Sequence, residues 1–166
     1  MVQVGKGETQ SSIEEKRRFK KDSRIGRASI VVVVLLFAQL LLGMWTNLFV
    51  SFPSKTPSVN PLDSVLVNGP YIVSAHIING IVIGVLSILT IALSVIARNR
   101  RAVFLSCCGF VSILFAGESG IFFALGWYGN NFLSFSMSTG FVFALAIYFV
   151  LAAPFIARSL SESWSG

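Results

Sequence analysis

"ASIVVVVLLFAQLLLGMWTNLFVSFPS" (28–54) contains no charged residue. About 20 apolar residues suffice to cross a bilayer as a helix, so this stretch reads as one span. Residues 64–97 are uncharged apart from His76, and residues 102–157 carry a single charge, Glu118. The last stretch is long enough for two spans, with "GWYGNN" (126–131) as the turn between them. Inside lipid only helices and closed barrels satisfy the backbone, and these runs lack the alternation of barrel strands. The expected fold is all-α: a polytopic membrane protein forming a four-transmembrane-helix bundle, with spans near 28–50, 71–97, 102–126 and 132–157.

The charges fall outside the spans. Of the 13 Lys and Arg residues, eight lie in 1–27, three in "RNRR" (98–101) and one at Arg158, leaving only Lys55 in a loop on the other side. This asymmetry predicts both termini cytoplasmic in a multi-pass cell-membrane protein, with loop 51–70 and the turn facing outward. Trp45, Tyr71, Trp127 and Tyr128 then fall near the outer boundary as an aromatic belt. The expected organisation is a basic N-terminal segment (1–27), a transmembrane domain (28–157) and a short tail (158–166). Topology accounts for the pI of 9.8, so the expected partner of the basic charge is the lipid bilayer and not nucleic acid. The N-terminal segment is not read as a cleavable signal, because its charged region is too long. "SSIEEKRRFKKDSR" (11–24) reads as a short helix, with Ser12 and Glu15 at capping-box spacing. Cys107 and Cys108 are read as reduced, small, buried packing residues.

Small residues recur every fourth position. Helix two has His76, Gly80 and Gly84, and helix four has Ser136, Gly140 and Ala144, offset by 60 residues. Helix one has Gln39, Gly43 and Asn47, and helix three has Ser112, Ala116, Gly120 and Ala124. Such spacing lets helices approach closely in lipid, where apolar burial alone gives no drive to associate. The pattern suggests two degenerate helical hairpins, with Gly43, Gly80, Gly84, Gly120 and Gly140 as packing positions.

The polar groups inside the spans gather toward the outer side, with Asn47, His76, Asn79, Glu118, Ser136 and neighbouring hydroxyls in an outer layer and Gln39 nearer the midplane. The inner half reads as Val, Ile, Leu and Ala. Ionisable groups in lipid are functional-site candidates by default. His76 has three readings: a heme ligand, one end of a proton relay with Glu118, or a hydrogen-bond donor between helices. Glu118 lies about 200° around its helix from the stripe of Ala116 and Gly120, so only one of these faces can point into the bundle.

"QLLLGMWTN" (39–47) with "HIINGIVIG" (76–84) resembles one four-helix half-module of the heme A synthase family. There, the first helix of a unit carries a Gln, a Gly four residues later and then an outer polar residue, matched here by Gln39, Gly43 and Asn47. The second carries a heme-ligating His with small residues below it, matched by His76, Gly80 and Gly84. The resemblance implies heme as cofactor, His76 as axial ligand to its iron, and a role in respiratory-chain function or assembly. The family's second histidine falls on Ser136, with Met137 beside it. The implied ligand sets are therefore His76 with Met137, His76 alone, or a ligand shared across a homodimer. The glutamate the family carries before its ligand is replaced by Val73, and heme A synthesis is not expected of this chain alone.

Phosphate loops, paired carboxylates and nucleophile elbows are missing, which excludes kinases, nucleotide binders and hydrolases. Three readings remain: a heme-handling membrane protein, a non-enzymatic accessory subunit of a larger membrane complex, and a small proton-coupled transporter using His76 and Glu118.

Overall fold

The computed structural model describes residues 5–50, 70–125 and 130–164. Among the described residues there are four helices: α1 (Gly5–Phe49), α2 (Tyr71–Ile96), α3 (Arg100–Leu125) and α4 (Asn131–Trp164). All four are long and apolar enough to cross a membrane, the build of a multi-pass membrane protein. The protein is an all-α four-helix bundle in which each helix packs on the next and α4 packs back on α1, closing the ring. The two termini share one end of the bundle, the terminal end. The ends of α1 and α3 and the starts of α2 and α4 share the other, the loop end.

The helices begin and end where local chemistry requires. After α2 the chain reverses over residues 97–99, with Arg98 in the left-handed region at φ 56°. Asn99 then caps α3, its Oδ1 accepting the Ala102 N–H at 3.2 Å. Asn130 caps α4 in the same way, accepting the Phe132 N–H at 3.0 Å. The Lys21 ammonium reaches the Ile96 carbonyl at 3.5 Å, a cation placed at the negative end of α2.

The N-terminal segment and the first span are one continuous helix. Residues 11–24 are therefore not a separate helix, and Ser12 lies inside α1 and not at a helix start. No proline interrupts residues 5–49, and the interior glycines Gly26 and Gly43 are tolerated within a helix. At about 1.5 Å per residue α1 runs roughly 68 Å, more than twice a hydrocarbon core of about 30 Å. The tail likewise continues α4 as far as Trp164. Trp45 and Tyr71 are both exposed near the loop end, as a belt requires. Trp127, Tyr128 and Lys55 lie outside the described residues.

Burial concentrates in the terminal half. Ile25, Val32, Leu36, Ile83, Ala102, Ala144, Tyr148 and Leu151 form an apolar core cluster. Glycine on one helix receives an aromatic ring from α4 at two places. A methyl at Gly109 would stand 2.7 Å from the Tyr148 ring, and one at Gly26 would collide with Phe155. The Arg27 guanidinium lies over that same Phe155 ring, 5.9 Å from its centre. The backbone approach is closest at Gly140, where an added Cβ would lie 2.8 Å from the Ser112 carbonyl oxygen and 3.0 Å from the Ala116 nitrogen. The small stripe of α3 thus faces α4.

Candidate functional site

α1 and α2 bring Gln39, His76 and Asn79 together in the loop half of the bundle. Residues 76 and 79 share one face of α2, three apart. Gly43, four residues after Gln39, leaves room for the imidazole: a Cβ there would stand 3.2 Å from His76 Cε1. Gly80 leaves room for the Gln39 amide, 3.4 Å from where its Cβ would be. In both cases the missing side chain makes space for a polar group of the facing helix.

The hydrogen bonds form a directed chain. Asn79 Nδ2 donates to the Leu35 carbonyl at 3.1 Å and to Gln39 Oε1 at 2.8 Å. A carbonyl can only accept, so Leu35 sets the orientation of the Asn79 amide, and Asn79 sets that of Gln39. Gln39 Nε2 then faces His76 Nε2 at 3.2 Å. An amide nitrogen only donates, so His76 Nε2 accepts and the ring proton sits on Nδ1. Nδ1 is buried with no partner among the described residues. One backbone carbonyl thereby orients two amides and a histidine tautomer across two helices.

The other expected positions lie elsewhere. Asn47 is exposed on α1. Met137 stands in the α3–α4 interface, its Sδ 3.3 Å from where a Cβ on Gly120 would be. Ser136 is buried on α4. At Gly84 an added Cβ meets nothing within 4 Å, so among the described residues no other helix presses there. Glu118 is exposed, and with the small stripe of α3 turned to α4 it points out of the bundle. Cys107 is exposed and Cys108 half-buried, which corrects the reading of both as buried packing residues.

The described contacts do not bring His76 and Met137 together as a ligand pair. Nε2 of His76 is engaged by Gln39, Nδ1 lies against Gly43 of α1, and Met137 belongs to a different interface. The arrangement does not assemble a His76–Glu118 relay either, since the imidazole turns to α1 and the carboxyl turns outward. No group of three or more His, Cys, Asp or Glu side chains suited to a metal occurs among the described residues.

One polar feature escaped the sequence reading. The terminal half is not purely aliphatic: Ser29, Ser87, Thr90, Ser94, Ser106 and Tyr148 are fully buried there, drawn from all four helices. Most of these hydroxyls donate back to their own helix, as Ser87 to Ile83 at 2.7 Å and Ser106 to Ala102 at 2.6 Å. Ser94 and Ser106 also meet across α2 and α3 at 3.1 Å. Ser87 approaches the Tyr148 hydroxyl without reaching hydrogen-bond geometry, and Tyr148 and Ser29 keep unpartnered hydroxyls among the described residues. The signal was present in the spacing of residues 76, 79, 83, 87, 90 and 94. That is one helical face, polar except at Ile83.

No protein-family model, curated protein or solved structure matches this chain.

Proposed function

We propose that the chain is a non-enzymatic accessory subunit of a larger membrane assembly, lying in the cell membrane with both termini cytoplasmic. The observation that carries this reading is where its two ionisable intramembrane side chains stand. His76 is engaged within the bundle by Gln39, so its role is to hold α1 to α2. Glu118 is turned away from the bundle, toward whatever surrounds it. Among the described residues no reactive groups converge inside the bundle, and the costly Glu118 carboxyl faces outside it. The twelve-to-one distribution of Lys and Arg supports the orientation.

Heme binding through His76, which the resemblance to heme A synthases implies, is the competing reading. The unpartnered Nδ1 favours it. The Gln39 bond and the separation of Met137 weigh against it. Two measurements decide. Extracted from its native membrane in mild detergent, the chain is expected to migrate with a larger complex; migration as a free monomer would remove the accessory role. Purified and incubated with heme, it is expected to stay colourless. A Soret band lost in His76→Ala would establish the heme reading in its place.

A further inference from the structure

The outward face of α3 has a regular construction. Phe104, Cys107, Val111, Leu114, Glu118, Ile121 and Leu125 are all exposed and follow one another at alternating steps of three and four. That is the spacing of a seam that packs against another helix with left-handed supercoiling. Glu118 lies near the middle of this face around the helix axis, about 10 Å from the loop end at roughly 1.5 Å per residue. Six of the seven side chains suit lipid and helix packing equally well. The carboxyl suits only a partner that satisfies it, because in hydrocarbon it must otherwise give up its charge or draw water inward.

From this we infer that the α3 seam is the docking face of the accessory subunit, and that its occupant is a transmembrane helix of a different protein carrying a basic side chain level with Glu118. This rests on the accessory reading above. The choice of occupant follows from charge. Glu118 is the only charged residue between 102 and 157, and the other spans carry none except the possible charge of His76, whose ring is turned to α1. A second copy therefore brings another carboxyl to the seam and no cation. α2 and α4 already cover the other sides of α3, so a newcomer meets this face.

The test uses the full chain in liposomes, labelled at its C-terminus, with a labelled Leu-rich transmembrane peptide carrying one lysine at the depth of Glu118. Energy transfer reports association. The lysine peptide is expected to bind roughly 3- to 20-fold more tightly than its all-leucine counterpart, the range of interhelical polar contacts in membranes. Glu118→Leu should abolish the difference, and Glu118→Gln should keep part of it, because the amide still accepts a hydrogen bond. Equal binding of the two peptides, or a difference that survives in Glu118→Leu, overturns the proposal. So does transfer between two labelled copies that the lysine peptide cannot compete away, which would assign the seam to a homodimer. The native complex separates this failure from that of the accessory role. If Glu118→Leu still migrates with the same assembly, the subunit docks through another face. If the wild-type chain migrates alone, the accessory role itself falls.

Discussion

The two hairpins use the same spacing of small residues and are held by different forces. Gly80 and Gly140 occupy equivalent places 60 residues apart. Gly140 is pressed against the backbone of α3, 2.8 Å from the Ser112 oxygen to a would-be Cβ. Gly80 meets no backbone, only the Gln39 amide at 3.4 Å. Four residues on, Ala144 is fully buried while Gly84 faces open space. α3 and α4 therefore interlock by close approach of their chains. α1 and α2 meet through polar side chains seated against glycines of the facing helix and are tied by the hydrogen bonds among them. A glycine in a membrane helix can thus make room for a helix or for a side chain, and the sequence motif does not say which.

The largest break in this contrast is expected at Gly140. Gly140→Leu places a branched side chain where carbonyl and amide backbone atoms already stand, and backbone cannot swing aside as a flexible side chain can. Overpacking of this kind costs about 1–3 kcal/mol, and the upper end is expected here. Unfolding in mixed micelles with rising SDS should show the loss, with α3 and α4 separating first. An unchanged midpoint would mean that α3 and α4 do not interlock at this glycine.

The same contrast shows why the fold was legible and the site only partly so. Runs without charge, such as 28–54, encode membrane spans by length and composition alone, and burial physics then leaves one class of structure. Gln39, His76 and Asn79 were visible as polar residues in apolar runs. Their mutual bonding was not, because it depends on the rotation of α1 against α2, which no single-helix periodicity contains. Glu118 posed a two-way choice that only the packing of Ala116 against Gly140 resolves. The buried hydroxyls were overlooked for a different reason. Ser and Thr bond to their own helix four residues back, as Thr90 does to Leu86 at 2.8 Å, so they enter a core without a partner from elsewhere. Composition therefore counted them as neutral. Gly26 and Gly109 stood outside any stripe, and only the rings of Phe155 and Tyr148 give them meaning.

A smaller effect, and a sharper one, is expected on the polar side of the comparison. Gln39→Leu and His76→Leu each remove one partner of the 3.2 Å bond, and the double variant removes both. The coupling between them should be about 0.6–1.7 kcal/mol, as measured for other hydrogen bonds between membrane helices. Gln39→Leu should be the more harmful single change, because Asn79 also loses its acceptor at Gln39 Oε1. Additive losses with no coupling would show that α1 and α2 are held by shape alone, which would erase the distinction between the hairpins.

The smallest expected effect discriminates most. Gly84→Ala adds one methyl where nothing lies within 4 Å, and alanine is the better helix former by up to about 1 kcal/mol in water. Within a helix already held by lipid, the change should be neutral or slightly stabilising, within about 0.5 kcal/mol of wild type. Gly140→Ala, the same chemical change at the other hairpin, should destabilise by about 1–2 kcal/mol through contact with the α3 backbone. Measured in the purified chain, the pair isolates contact from propensity, since propensity is common to both. A loss at Gly84 equal to that at Gly140 would mean that a helix presses on that site after all. The small residues of α2 would then pack as those of α4 do, and the two hairpins would be a true repeat in structure as well as in spacing.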